Sequence, residues 1–220
     1  MQSPPPVTDP VYSPLDKFIL EFDRNVLAVL TGSSHSTRPT PGAGIEETPL
    51  DAAGRRHIAG LMRVNHAGEI SAQALYQGQA LMARDRETRE KLRQSANEEI
   101  DHLHWCEERL RELGGRTSCL DPFWFLGSLG IGITAGFAGD DWSLGFIEET
   151  ERQVVDHLQD HLEQLPQADH KTRAILEQMQ IDESEHGDKA AAAGARKLPS
   201  PVRAAMRLCA RVMTRTSYYL

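Results

Sequence analysis

Glu-x-x-His occurs twice in this chain, as Glu99/His102 and Glu183/His186, each inside a helical apolar pattern and each preceded by a further acid, Glu98 or Asp182. Residues three apart on a helix share a face, so each pair offers one oxygen and one nitrogen to a single ion. A lone copy in an acidic helix reads as solvated surface. The facing of these two argues otherwise. Leu92, Ala96, Glu99, Leu103, Cys106 and Leu110 form one stripe, and Ile175 or Leu176, Met179, Glu183, His186 and Ala190 form another. Both pairs therefore point inward, where a carboxylate is costly unless a metal or a partner compensates it. Within a helix bundle this repeat builds half of a two-metal carboxylate site, and the chemistry it suits is oxygen activation at paired iron.

The other half of such a site is one carboxylate from each of two further helices. On the stripe Ile58, Leu61 or Met62, Asn65, Glu69, Ala72, Tyr76 and Gln79, the acid is Glu69. A later stripe, Leu144, Ile147, Glu151, Val154 or Val155, Leu158, Leu162 and Leu165, takes in Glu151, leaves Glu149 outside and is bordered by Glu148, the alternative. The expected ligands are thus Glu69, Glu99, His102, Glu151, Glu183 and His186: four carboxylates and two imidazoles around two divalent ions of iron or manganese character, with charges that nearly cancel. Glu98 and Asp182 are expected to accept the free N–H of a ligand histidine from a neighbouring helix and to fix its tautomer. If Asp182 plays that part, Asp182→Ala weakens iron binding without unfolding the protein.

Other polar residues near these stripes carry less. His157 lies six residues after Glu151 and is weighed between assisting proton delivery and plain exposed polarity, the latter preferred. Tyr76 shares the Glu69 face and is either a site tyrosine or, by preference, a core tyrosine. Cys106 reads as a small buried apolar residue. His66 and Asn65 are candidates for supporting Glu69 or capping a substrate opening, and His35 and His57 receive no role.

Four long helices must position this set. Apolar residues recur with a period near 3.6 over about 49–83, 86–113, 141–165 and 168–193. Gly114-Gly115, Asp140 or Asp141, Pro166 and Asp169 punctuate them. Before them lie a proline-rich tail over 1–14, a short amphipathic helix over 15–30 and a Gly/Pro/Ser/Thr linker over 31–47. The second-to-third connection contains residues 122–139, a stretch without a charge that holds five glycines. It is expected to be an apolar crossover, either buried or presenting an apolar surface to a bilayer or a lipid tunnel. Its length barely meets what a membrane span requires, and its glycines argue against one. After the bundle, Arg203, Arg207, Arg211 and Arg215 repeat every four residues among apolar neighbours. Such a helix can lie on anionic lipid or dock on the bundle, and the apolar 122–139 segment tips the reading towards lipid.

Composition sets the outer bounds. The 220 residues, 40% hydrophobic, suffice for one sizeable core. The organisation expected is a 1–47 N-terminal region, a 48–195 bundle and a 196–220 basic amphipathic helix, all-α throughout. With 24 basic against 32 acidic residues, a general nucleic-acid binder is excluded. Three widely spaced cysteines, Cys106, Cys119 and Cys209, make neither a disulfide framework nor a thiolate zinc site. The N-terminus has the character of neither a secretory signal nor a transit peptide, which points to a bacterial cytoplasm. No nucleotide-binding glycine motif is present, so any reaction with NADH would go through another kind of site or a partner.

The segments Arg63-Val64-Asn65-His66-Ala67-Gly68-Glu69, Glu98-Glu99-Ile100-Asp101-His102-Leu103, Glu148-Glu149-Thr150-Glu151 and Asp182-Glu183-Ser184-Glu185-His186 together resemble the demethoxyubiquinone hydroxylase family in its bacterial form. The likeness covers nearly the whole chain, and the Arg-Val-Asn-His-Ala-Gly-Glu run is far more specific than Glu-x-x-His. It implies a ferritin-like bundle with two irons held by Glu69, Glu99, His102, Glu151, Glu183 and His186, with Glu99 and Glu183 placed to bridge. It also implies a polyprenylated methoxy-methyl-benzoquinol substrate hydroxylated with O₂, a reductant such as NADH, and a peripheral place on the cytoplasmic side of the inner membrane, with other quinone-biosynthesis enzymes as partners. The adjacent glutamates of the third helix allow the alignment to slip there. The rival reading is an iron-handling bundle of the ferritin or rubrerythrin kind; a further one is an assembly protein whose metal is structural.

Overall fold

The computed structural model describes residues 36–47 and 49–220; the expected tail and the amphipathic helix over 15–30 lie outside the described residues, as does His35. Six helices follow one another: α1 Ala52–Met82, α2 Arg86–Glu112, α3 Asp121–Ala138, α4 Asp140–Gln164, α5 His170–Ala192 and α6 Ser200–Ser217. Among the described residues there is no strand, and the bundle is the all-α, ferritin-like one expected.

Local chemistry sets the helix starts. Asp51 accepts the Gly54 amide at 2.7 Å, Asp85 the Thr88 amide at 2.7 Å and Asp169 the Thr172 amide at 3.0 Å, each satisfying a donor that the first turn would otherwise orphan. The carboxylate of Asp140 reaches across to the amides of Arg84 and Asp85 and secures the α1–α2 corner.

The bundle core is two apolar layers with polar groups between them. One layer contains Ile58, Met62, Trp105, Cys106, Leu110, Leu158, Leu162, Ile175, Leu176 and Met179. The other contains Ala72, Tyr76, Ala80, Leu92, Ala96, Leu144, Ile147 and Ala190. Each of α1, α2, α4 and α5 passes from one layer to the other, and on each the break falls where its acids or histidines stand: Glu69, Glu99 and His102, Glu151, and Glu183 and His186. The apolar stripes close both ends of a polar midsection.

The connection expected as a crossover is the helix α3. Of the two placements expected, buried or presenting an apolar surface, it takes the second: Phe123, Leu126, Ile131, Ile133 and Phe137 are exposed, and the buried side is narrow, with Phe125, Gly132 and Gly136 turned in. The glycines that argued against a membrane span are the reason it can lie where it does. A Cβ on Gly132 would stand 2.3 Å from the Leu75 carbonyl oxygen, one on Gly78 2.5 Å from the Leu129 carbonyl oxygen, and one on Gly136 2.8 Å from the Met82 Cβ. The backbones of α1 and α3 are in contact through these positions, so no other residue fits. Gly139, at φ 123°, turns the chain directly from α3 into α4. Among the described residues no helix is long and apolar enough to cross a membrane.

Residues 36–47 are irregular, as a linker should be, yet they are tied to the bundle. Arg109, fully buried, meets Glu47 at 2.6 Å, Asp169 at 3.1 Å and Thr172 at 2.8 Å, joining this segment to α2 and the start of α5. Helix α6 rests on the bundle at its end, where Ser217 is buried and the Tyr218 hydroxyl and His57 Nδ1 are 2.7 Å apart. Arg207 approaches Glu149 at 3.7 Å, while Leu208 and Val212 remain exposed.

Candidate metal centre

Glu69 from α1, Glu99 and His102 from α2 and Glu183 from α5 are all buried and each brings a ligand atom within 4.8 Å of the others. His102 Nδ1 lies 3.5 Å from Glu69, 3.1 Å from Glu99 and 3.0 Å from Glu183. His186 Nδ1 lies 3.4 Å from Glu99 and 3.1 Å from Glu183. Glu99 and Glu183 therefore turn one oxygen to each imidazole, whereas Glu69 stands on the His102 side. Glu151, 1% exposed, completes the opposite side and accepts the Tyr76 hydroxyl at 2.5 Å. Glu69, Glu99, His102 and Glu183 form one tight cluster, with His186 held against the far oxygens of Glu99 and Glu183 and Glu151 buried on Tyr76.

The outward nitrogens each meet a further acid. His102 Nε2 is 3.0 Å from Asp182 Oδ2, and His186 Nε2 is 2.6 Å from Glu98 Oε2. Each carboxylate comes from the helix opposite its histidine, one residue before that helix's own buried glutamate. With a proton held on Nε2 by the acid, Nδ1 is the nitrogen that would be left for a metal.

This donor set suits a metal site. No Lys or Arg stands among these groups, and Glu151 Oε2 is buried without a hydrogen-bond partner. The ionisation balance says the same. Burial, reinforced by repulsion from Glu183 and Glu99, drives the Glu69 and Glu151 carboxyls well above the carboxylate range. Burial also opposes charge on Glu99 and Glu183, but the imidazoles beside them outweigh it and both end below that range. Burial works against protonated His102 and His186 too; the surrounding carboxylates reverse this and hold His186 up at about 12. Protons on the histidines thus do, within the protein alone, what cations of higher charge are suited to do. Oxygen and imidazole donors of this kind match iron or manganese.

Of the remaining candidates, Tyr76 is both buried in an apolar layer and bonded to Glu151; burial, then the Glu151 charge, raise its phenol well above the usual range. Glu148 is half-buried and Glu149 turns to Arg152 and Gln153, away from the cluster. His157 is placed elsewhere, and its expected exposure is corrected: its ring lies 3.9 Å from that of His161, and burial lowers it to about 4. His66 is buried with Nδ1 3.2 Å from Asp121 and Nε2 3.4 Å from Glu107, tying α1 to α2 and α3. Asn65 is buried beside Met62, and Cys106 is core.

Sequence reasoning missed Arg38. Its guanidinium lies 2.8 Å from Asp182 Oδ2 and 4.8 Å from the centre of the Trp105 ring, itself 5.2 Å from the His102 ring. An isolated arginine in a linker has no periodicity to betray it.

Comparison with known proteins agrees with this geometry. The family model described as ubiquinone biosynthesis protein COQ7 matches residues 56–217. The chain is 55% identical over 204 residues, 93% of its own length and 98% of the relative's, to 3-demethoxyubiquinol 3-hydroxylase of Aromatoleum aromaticum. The same figures hold for the 3-demethoxyubiquinol 3-hydroxylase of Chromobacterium violaceum. With that of Xanthomonas oryzae pv. oryzae the identity is 50% over 210 residues, covering 96% of each chain. A match running from α1 through α6, across every helix that contributes to the buried cluster, makes this chain a member of the COQ7 family.

Proposed function

We propose that this chain hydroxylates one ring carbon of demethoxyubiquinol, a polyprenylated methoxy-methyl-benzoquinol, using O₂ at a pair of iron ions held by Glu69, Glu99, His102, Glu151, Glu183 and His186. The chain is a hydroxylase of ubiquinone biosynthesis by its family and by its relatives' names. The observation that carries the two-iron reading is that Glu99 and Glu183 each reach both imidazoles, the arrangement bridging ligands need. Bound iron supplies the oxygen-activating chemistry. The protein's own part is to hold the two histidines in the Nε2–H tautomer through Asp182 and Glu98, to steady Glu151 through Tyr76, and to exclude water with the two apolar layers.

The decisive measurement mixes the purified, Fe(II)-loaded chain with a demethoxyubiquinol analogue, a reductant and ¹⁸O₂ and follows product mass. One labelled oxygen in the quinol, lost in Glu183→Ala, is the expected result. Oxygen consumption with ferric iron accumulating and no labelled quinol would favour the iron-handling bundle instead.

A polyprenyl tail does not dissolve in water, so the reaction belongs at a bilayer surface, with the chain held peripherally. Supporting this are the exposed Phe123, Leu126 and Phe137 of α3 and the exposed Leu208, Val212, Arg211 and Arg215 of α6. An apolar groove of about 440 Å³ between α3 and α4, lined by Gly127, Gly130, Ile131, Ala135, Trp142 and Phe146, is suited to a tail. Replacing Phe123 and Phe137 together by Asp should weaken co-sedimentation with anionic phosphatidylglycerol vesicles by roughly a hundredfold or more, since each buried Phe contributes about 1.5–3 kcal/mol. Undiminished binding would remove α3 from the interface.

A further inference from the structure

The two acids that support the ligand histidines are alike in every contact but one. Gln178 donates to Asp182 Oδ1 at 2.9 Å, and Gln94 donates to Glu98 Oε1 at 2.9 Å; each glutamine stands four residues before its acid. The second oxygen of each acid meets a ligand histidine. The cations differ. Arg38 lies 2.8 Å from the same Asp182 oxygen that His102 uses. Lys189, whose side chain is 58% exposed, comes only to 3.9 Å from Glu98. The histidine distances follow: 3.0 Å for His102 to the shared oxygen of Asp182, 2.6 Å for His186 to Glu98.

Arg38 is set in place rather than incidental. The Thr37 amide donates to Asp101 Oδ1 at 2.7 Å, the Ser36 hydroxyl reaches the same oxygen at 2.9 Å, and the guanidinium lies over the fully buried Trp105. Arg38 also precedes residues 56–217, the part matched by the family model.

We propose that Arg38 makes the two metal positions electronically unequal, so that the ion beside His102 is reduced first and the ion beside His186 holds its ferric state longer. The inference rests on the two-iron reading of the site. An acid bonded to the outer N–H of a ligand histidine makes that histidine a stronger donor. A guanidinium sharing the acid's oxygen draws off that charge, and its own positive charge disfavours the ferric ion. Both effects have the same sign, and both are weak at Glu98, where the cation is more distant and solvated. Arg38 is thus a positioning and tuning residue acting through Asp182 and His102.

The test is a dithionite titration, with redox mediators, of the full chain loaded with two equivalents of iron and oxidised. The mixed-valence state is followed by electron paramagnetic resonance and Mössbauer spectroscopy. In Arg38→Gln the first reduction potential should fall and the mixed-valence state should become less stable, on the order of tenfold in its comproportionation constant, ~59 mV for a one-electron step. Arg38→Lys should shift less, and Lys189→Gln should leave the first step where it is. A change in thermal stability with both potentials unmoved would mean a merely structural role and overturn the proposal. Should Arg38→Gln fail to fold, Arg38→Lys decides: a lowered first potential supports the proposal and an unchanged one overturns it. Wild-type protein that takes up no coupled iron pair would instead overturn the two-iron reading, and this inference with it.

Discussion

Tyr76 shows how a side chain can serve packing and the site together. Its ring fills the apolar layer built from Ala72, Ala80 and Ile147, and its hydroxyl ends on Glu151. Removing that hydroxyl leaves a buried carboxyl oxygen without a partner, and an unsatisfied buried acceptor costs about 1–3 kcal/mol. Tyr76→Phe should therefore lower the midpoint of thermal unfolding by roughly 2–12 °C, given about 2–4 °C per kcal/mol for a chain of this size. Calorimetry checks this, and iron content shows whether Glu151 still holds its place. An unchanged midpoint would mean that Glu151 is satisfied by the metal alone.

Among the elements, α3 makes the sharpest demand on particular residues. Glycines cost a helix about 1 kcal/mol each relative to alanine, so a glycine-rich stretch looks like a poor helix by propensity. The cost is offset where glycine lets two backbones touch and is uncompensated where it does not. Gly132 belongs to the first kind, whereas Gly127 and Gly130 have nothing within 4 Å of where a Cβ would stand. Gly132→Val should destabilise by about 3 kcal/mol or more through overpacking against Leu75 and release α3 from α1, seen as faster amide exchange along α3. Gly130→Ala should stabilise by up to about 1 kcal/mol. If both substitutions behaved alike, the close α1–α3 contact would not exist in solution.

For the molecule as a whole, acid should be destabilising for a reason apart from the metal centre. Burial lowers His157 to about 4 and His161 to about 2, and His161 Nδ1 and His157 Nε2 lack partners. In the unfolded chain both titrate near 6.5. A histidine whose folded value is depressed contributes its full stability above the unfolded value and loses it as pH falls through about 6.5 towards the folded one. Thermal midpoints should accordingly drop between pH 7 and pH 4, and in a His157→Phe, His161→Leu double variant the drop should be smaller. Comparing the two proteins without metal separates this effect from that of the buried carboxylates, which both share. Equal slopes would place these imidazoles in water.

Much was legible along the chain, because burial on a helix imposes a period and the period survives in the residues. The stripes through Glu69, Glu99, Glu151 and Glu183 could be drawn before any coordinates, and the bounds of α1, α2, α4 and α5 fell within three residues of those expected. That Glu98 and Asp182 should each face a histidine of a neighbouring helix was legible; that Glu98 meets His186 and Asp182 meets His102 was decided by the packing. Contacts between segments without a common period were illegible. Arg38 reaching Asp182 and Arg109 gathering Glu47 and Asp169 depend on where distant backbones come to rest. The same holds for α3: composition measured what its glycines cost a helix, and only the approach of α1 decided what they were for. Local periodicity determined which residues face inward; the tertiary arrangement decided which meet, and so which oxygen of Asp182 serves both His102 and Arg38.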